Sequence, residues 1–204
     1  MLMLSVHHPT KAKLIDATVR LLGELPRDQI SSEQILSTSG ISKGSMYHHF
    51  EDLDHLIEHA MLRKYTDWVD RSIEAITLTL GNAKSSEDVY EKLCAITIQT
   101  QDPARRVDRL YRAEVLALAA SSPRLARALG KEQQRLTDAL ADLVRETQEQ
   151  GFFHKEIDPH VLAVFIQAYT LGKVVDDYSE TPMDSDNWNT LINNFLKKTL
   201  LKYD

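Results

Sequence analysis

One short segment of the sequence, residues 43–49, concentrates side chains that form hydrogen bonds or carry positive charge. Its polar members are Lys43, Ser45, Tyr47, His48 and His49. Ammonium, hydroxyl and imidazole groups are the ones that proteins use to contact the phosphates and base edges of nucleic acids. The segment is therefore suited to recognise the phosphates and base edges of a nucleic acid.

Residue patterns for catalysis or metal binding are weaker. His55 and His59 stand four apart, a spacing that can bind zinc, but no third ligand stands out in the sequence. Cys94 lies in an apolar run, where a free cysteine usually packs as a small hydrophobe. The sequence has no phosphate-binding glycine loop. We therefore expect no enzyme, no metal site and no cofactor.

Two short helices must position the polar segment. Ser31 is predicted to cap the first of them, with Gln34 three residues later as in a capping box, and Gly40 is predicted to end it. The second begins almost at once, with Ser42 as its cap. Two short helices joined by a tight glycine turn form the helix-turn-helix arrangement, whose second helix enters the major groove of DNA.

The helical wheel of this second helix separates its apolar and polar residues. Met46 and Phe50 fall together on one face, whereas Gly44, Ser45 and His48 lie broadly opposite. Gly44 would let the backbone approach the bases closely. We predict that the outer face contacts base edges and the flanks reach phosphates. The predicted DNA-binding residues of this segment are Ser42, Lys43, Gly44, Ser45, Tyr47, His48 and His49.

Residues 10–64 resemble the DNA-binding domain of the tetracycline-repressor-like (TetR) family of bacterial transcription regulators. The resemblance rests on Ile35, on the run from Ser39 to Phe50 and on Leu56, six residues after Phe50. It implies that Ser45 enters the groove and that Tyr47 and His49 contact phosphates. It also implies repression rather than activation.

One position departs from the family pattern. The family usually has a phosphate-contacting lysine three residues after the phenylalanine, and here that position is Leu53, between Asp52 and Asp54. This predicts either weaker non-specific DNA binding or compensation by Lys11 and Lys13. We therefore add Lys11 to the predicted DNA-binding residues.

The charge balance favours a different reading. The net charge is −6, and residues 1–64 hold seven Lys and Arg against eight Asp and Glu, whereas a basic surface is usual for DNA-binding proteins. The alternative is a helical protein that binds a small molecule or a partner and has lost DNA binding.

A single cysteine excludes an internal disulfide, and we find no signal peptide or membrane-length apolar run, so we expect a cytoplasmic protein.

The remaining sequence is helical in pattern, with no strand signal. It predicts an all-α fold of about nine helices, including segments at 86–100, 104–120, 123–150, 159–179 and 187–203. We expect a three-helix DNA-binding domain over residues 1–52 and an effector-binding and dimerisation domain over residues 53–204. A long helix, residues 52–80, would link the two.

The two C-terminal segments are candidates for dimerisation. The segment at 159–179 is apolar nearly all round, and the last has an apolar stripe that runs to Tyr203. These residues could form a single-chain core; we favour a two-fold homodimer with a four-helix bundle. The predicted interface residues are Val164, Leu171, Val175, Trp188, Leu191, Ile192, Phe195 and Leu196.

The middle helices mix aromatic and polar residues into apolar stretches. Such a mixture suits a pocket for a drug-sized or lipid-like effector, although each residue could equally serve the core or the surface. Glu114 needs solvent or a partner, either Arg112 or a cationic effector. The predicted ligand-binding residues are Tyr90, Cys94, Thr97, Tyr111, Glu114, Leu118, Phe165 and Tyr169.

Overall fold

The structure, a computed structural model, describes residues 8–201. This part of the chain contains nine α-helices, three short 3-10 turns and one isolated β-bridge, between Phe153 and Leu201. The predicted all-α fold is confirmed. The helices are α1 (Pro9–Glu24), α2 (Ser32–Ser39), α3 (Lys43–His49), α4 (Leu53–Leu80), α5 (Ser86–Gln101), α6 (Arg106–Ala119), α7 (Pro123–Glu149), α8 (Pro159–Gly172) and α9 (Ser185–Leu200).

Local capping defines the N-terminal helices as the sequence predicts. Ser31 and Gln34 form a reciprocal capping box at the start of α2, and Gly40 ends that helix in the left-handed region with φ of 68°. The hydroxyl of Ser42 accepts the N–H of Ser45 at 3.3 Å, and the carboxylate of Asp52 accepts the N–H of His55 at 2.6 Å. These caps satisfy N–H groups that the first helical turn leaves without backbone partners.

Helix α4 connects the N-terminal helices to the rest of the chain. Its 28 residues span about 42 Å at the standard rise per residue. Leu56 belongs to the same buried apolar cluster as Met46 and Phe50, and that cluster continues through α6 and α7 to Ala163 in α8. Apolar packing is therefore continuous from the cluster beneath α3, along α4, to α7 and α8. The domain boundary near residue 52 stays a prediction.

A second apolar cluster fills the opposite end of the molecule. Helices α5 and α9 pack on each other there, and Phe153 and Leu201 lie in the same cluster. Within residues 8–201, no helix is both long and apolar enough to cross a membrane.

The segment predicted as one helix over 159–179 is shorter in the structure. Helix α8 ends at Gly172 and a 3-10 turn, Lys173–Val175, follows it. The side chain of Lys173 is buried and donates to the carbonyl oxygen of Gln101, and the carboxylate of Asp176 accepts the N–H of Met183 at 3.1 Å. These contacts draw the chain off the helical path. Of the predicted last helix, residues 202 and 203 lie outside the described residues.

Candidate nucleic-acid interface and ligand cavity

Helix α3 separates its anchoring residues from its polar residues. Met46 is fully buried and Phe50, which follows the helix, is almost so. Lys43, Gly44 and His48 are exposed, and the Tyr47 side chain is 47% exposed. An aromatic ring this open on a polar helix is available to a partner rather than needed for the core. The outer face predicted from the wheel is therefore the face that the fold presents.

The turn before α3 fixes how the helix projects. Gly40 adopts the left-handed conformation, and the N–H of Ile41 donates to the Ser39 hydroxyl at 3.3 Å. The Ser42 hydroxyl donates to the Ser45 hydroxyl at 3.2 Å as well as accepting the Ser45 N–H. Ser42 is therefore engaged as a cap, and it positions Ser45 at the N-terminal turn that reads DNA in helix-turn-helix proteins.

A cluster of basic side chains lies where the start of α1 meets the end of α3. The ring centroids of His8 and His49 are 4.5 Å apart, and the Lys11 ammonium lies 5.3 Å from the centroid of the Phe50 ring. Burial and the charges of His8, His48 and Lys11 lower the pKa of His49. A phosphate placed here would relieve the mutual repulsion among these groups.

The first turn of α4 carries one histidine, His55, but no lysine or arginine. Leu53 packs partly against the core, and Asp54 in the same turn pairs with Arg27 at 2.9 Å. Arg124, at the start of α7, instead binds Glu51 and Glu58, each at 2.8 Å. The nearest basic groups that could contact a phosphate beside α3 are therefore those of α1, including Lys11.

His55 and His59 lie together on α4, with ring centroids 4.9 Å apart. Both rings stand edge-on to Phe50, at 5.6 and 5.5 Å. In the described part of the chain, no group of three or more His, Cys, Asp or Glu side chains could hold a metal ion. The two histidines thus act as packing neighbours of the Phe50 anchor.

A cavity of about 330 Å³ opens between α4, α5, α6 and α8, with α7 behind it. Trp68 and Ile76 of α4 line one wall, and Ile166 and Tyr169 of α8 line another. Its inner end adjoins a smaller apolar cavity of about 50 Å³ that shares Ile76, Ile166 and Tyr169. The volume is at the lower end of the range for small-molecule sites.

The polar wall of the cavity comes from α6. Arg109 and Arg112, three residues apart, both face it and are both buried. Arg109 is held by Asp177 through two hydrogen bonds, at 2.8 and 2.6 Å, and these bonds lower the pKa of that carboxyl. Arg112 lies 4.2 Å from the centroid of the Trp68 ring, and burial lowers its pKa.

The predicted ligand-binding residues are scattered in the structure. Tyr169 lines the main cavity and Thr97 lines its apolar extension. Glu114 is exposed whereas Arg112 points inward, so the two cannot pair as the sequence suggested. Tyr111 donates its hydroxyl to the Met61 carbonyl oxygen at 2.5 Å.

The other four lie outside both cavities. Tyr90 lies beneath the Lys197 ammonium, 4.8 Å from it, and Leu118 packs against the main core. Cys94 is half-buried, and the Phe165 ring contacts Phe195 at 5.0 Å. Sequence reasoning missed Trp68, Arg109 and Arg112, because the inward face of α6 depends on packing with α4 and α8. The only sequence signal for this wall of the cavity was the pair Arg109 and Arg112, three residues apart in α6.

The predicted dimer residues divide into two groups. Ile192 and Leu196 are buried in the chain's own second cluster, and the Trp188 indole packs beside them and donates to Gln101 at 3.0 Å. Leu171 is half-buried, and Val175 is exposed beyond the end of α8. An apolar face nevertheless remains open across α8 and α9. It consists of Val161, Val164, Phe165, Leu191 and Phe195.

Helix α3, the reading helix, presents an exposed polar face, and a ligand-sized cavity lies against the long helix α4. Together these two features define a ligand-responsive DNA-binding regulator. The comparisons with known proteins agree. Residues 14–60 match the model for bacterial regulatory proteins of the tetR family, and residues 91–201 match the model for the C-terminal domain of BetI-type transcriptional repressors. The chain belongs to the TetR family of transcriptional regulators. Members of this family bind DNA operators and small-molecule effectors, typically as dimers.

Individual relatives are distant but extend over most of the chain. The transcriptional regulator UidR of Escherichia coli K12 is 20% identical over 84% of this chain and 83% of its own length. The transcriptional repressor KstR2 of Mycobacterium tuberculosis H37Rv is 23% identical over 78% and 77%.

Solved structures share the fold. Salmonella enterica GusR has a TM-score of 0.63 at 21% identity, covering 97% of this chain and 98% of that one. A regulator from Saccharomonospora viridis in complex with choline has a TM-score of 0.68 at 16% identity, covering 95% and 98%.

Proposed function

We propose that the protein is a dimeric cytoplasmic repressor that binds a palindromic operator and releases it when a small molecule occupies the cavity between α4 and α8. The observation that carries the proposal is the double role of α4. Leu56 of this helix packs in the cluster that anchors α3, and Trp68, three turns later, lines the cavity.

The reading face supports the DNA part of the proposal. The side chains that would contact base edges are Lys43, Ser45 and His48. Those that would contact phosphates on either side are Tyr47, His49 and Lys11. Gly44 carries no side chain, and a Cβ built there meets nothing within 4 Å in the free protein. The space it leaves is open to a base edge.

The open apolar face across α8 and α9 supports the dimer. Phe165 and Phe195 join the two helices across this face, and Val161 and Leu191 are more than half exposed beside them. A second copy of the same face would cover these side chains by two-fold symmetry, the commonest arrangement of oligomers. Two reading helices would then meet half-sites about one DNA turn apart, ~34–36 Å, or a multiple of it.

Effector binding would act through α4. A ligand that moves Trp68 or Ile76 displaces a helix whose first turns hold Met46 and Phe50. This changes the separation of the two reading helices. A coupling free energy of ~1–3 kcal/mol between the two sites, which is typical of allosteric proteins, suffices for regulation.

Fluorescence anisotropy with duplex DNA from upstream of the protein's own coding region tests the proposal. We expect specific binding that weakens steeply as salt rises from about 50 to 200 mM, because phosphate contacts release counterions. The substitutions Lys43→Ala and Tyr47→Ala should each weaken binding by roughly tenfold, since one specific contact contributes ~1–3 kcal/mol. Lys131→Ala, at an exposed position of α7, is the matched control.

The competing function, a ligand-binding protein without DNA binding, makes the opposite prediction. Binding would then be weak, and Lys43→Ala and Tyr47→Ala would behave like Lys131→Ala. Sedimentation in the same buffer measures the oligomeric state. A monomer at micromolar concentration would refute the two-fold arrangement.

A further inference from the structure

The two buried arginines of α6 differ in how their charge is balanced. Arg109 has a bidentate carboxylate partner in Asp177 and also donates to the Asp102 carbonyl oxygen at 3.2 Å. Arg112 is only 7% exposed, yet its Nε has no hydrogen-bond partner. Within residues 8–201, no carboxylate forms an ion pair with Arg112.

The surroundings of Arg112 balance its charge only in part. One face of the guanidinium lies against Trp68, and the Tyr65 side chain lies beside it. The Asp108 carboxylate is engaged by Arg105 at 3.1 Å. A buried guanidinium without an ionic partner is costly, because desolvation removes its bonds to water. In a cavity, the missing partner can be supplied by a ligand.

We propose that the effector is an organic acid whose anionic group binds the Nε edge of Arg112 and whose apolar body extends toward Ile76, Ile166 and Tyr169. This inference rests on the proposed function, since it takes the cavity as the effector site. A carboxylate or another oxyanion can accept two parallel N–H bonds from the Nε and Nη edge of a guanidinium. In the structure the Nε is buried without a partner, and Tyr65 is the polar neighbour of the rest of the guanidinium.

The shape of the cavity sets the rest of the ligand. The main cavity is mostly apolar, with Thr79, Gln99 and Thr170 among its polar lining residues, and the small adjoining cavity has almost no polar lining. Exposed Arg71 and Arg105 at the rim would attract an anion and repel a cation. A quaternary ammonium such as choline, present in the Saccharomonospora viridis structure, is the opposite charge type.

The position of Arg112 also links the anion to α4. Arg112 contacts Trp68, and its neighbour Tyr111 donates to the Met61 carbonyl oxygen of the same helix. An anion that draws the guanidinium away from Trp68 changes a contact with α4 directly. The charged group of the effector thus serves both affinity and signalling.

The test uses two fluorescent probes of the same shape. 8-Anilinonaphthalene-1-sulfonate carries an oxyanion, and N-phenyl-1-naphthylamine has the same ring system without it. A Trp188→Phe background leaves Trp68 as the only tryptophan, because the chain has two. Energy transfer from Trp68 then reports probe bound near α4, and the Arg112 variants below assign it to this cavity. We expect the sulfonate to bind at least about tenfold more tightly than the neutral probe, as a charge-assisted hydrogen bond would provide.

Variants of Arg112 identify the group responsible. Arg112→Met should remove the preference for the sulfonate and leave affinity for the neutral probe little changed. Its melting temperature should not fall, since the substitution removes an unpaired buried charge. Arg112→Lys keeps the charge but loses the planar guanidinium and its two parallel N–H donors. It should give an intermediate preference for the sulfonate probe. Arg127→Gln, at an exposed position of α7, should match the parent.

Competition extends the test to natural ligand types. Octanoate should displace the sulfonate probe, and choline should not. Equal affinity for the two probes, or a sulfonate affinity unaltered in Arg112→Met, would overturn the inference. These measurements contain no DNA, so they are independent of operator binding. Anion binding at Arg112 that leaves DNA affinity unchanged would instead count against ligand-induced release.

Discussion

Acid should destabilise this protein through two histidines with lowered pKa values, His49 and, chiefly, His59. The His59 ring is half-buried in α4 and stands against Phe50, the anchor that follows the reading helix. Burial is the main reason that its pKa falls to about 4; the positive charges of Lys11, His55 and Arg124 contribute to that fall, and Glu58 opposes it. These charges come from α1, from α4 itself and from α7.

The sign of the effect follows from the lowered pKa. The fold favours the neutral ring, so its contribution to stability is complete above the unfolded pKa of about 6.5 and is lost as pH falls toward the folded value. The full difference would correspond to about 3 kcal/mol, but solvent screening of the half-buried ring reduces it, so we expect a loss of about 1 kcal/mol between pH 7.5 and pH 5. The carboxyl groups with lowered pKa values, such as Asp177, lose their contribution mainly below that window.

Urea unfolding at about pH 7.5 and pH 5 measures this loss through the change in unfolding free energy. The substitution His59→Gln should remove about 1 kcal/mol of the pH dependence, whatever it does to stability at pH 7.5. His160→Gln, at an exposed position of α8, should keep the parent's dependence. If His59→Gln and the parent lost the same free energy between the two pH values, the assignment to His59 would be wrong.

Three further predictions use the same unfolding assay. Gly40→Ala should cost about 1–2 kcal/mol, because φ is +68° there although a Cβ would meet no atom within 4 Å. Gly44→Ala should instead stabilise α3 by roughly 0.5–1 kcal/mol, while anisotropy should show weaker DNA binding; increased stability with unchanged DNA affinity would refute close backbone approach at this position. Asp177→Ala should cost about 3–5 kcal/mol, because it leaves Arg109 buried without its ion-pair partner; a loss below about 1 kcal/mol, the usual worth of an exposed ion pair, would contradict that reason.

The N-terminal helices could be predicted well because their signals are local. Ser31, Gly40 and Ser42 each act within three or four residues of their own position, and the structure confirms all three roles. The burial of Met46 followed from helical periodicity alone. These features depend on neighbours in the chain and need no knowledge of tertiary packing.

The ligand cavity could not be predicted in this way. Whether Arg112 or Glu114 faces inward depends on the rotation of α6 against α4, which is fixed by long-range contacts such as Tyr111 with Met61. The end of α8 depends on the burial of Lys173 against Gln101, which is distant in sequence. The sequence placed the candidate ligand residues on α5, α6 and α8 but could not fix which side of each helix faces the cavity.

The dual service of α4 constrains how such a regulator can evolve. A mutation at Trp68 or Ile76 that accommodates a new inducer also disturbs α4, the helix that carries Leu56. It therefore changes operator affinity as well. Ile96 of α5 and Ile166 of α8 line the other walls of the cavity. Their helices are distant in sequence from the reading helix α3, so these two positions can vary more freely. Diversification of inducer choice within this lineage should therefore concentrate on those two walls.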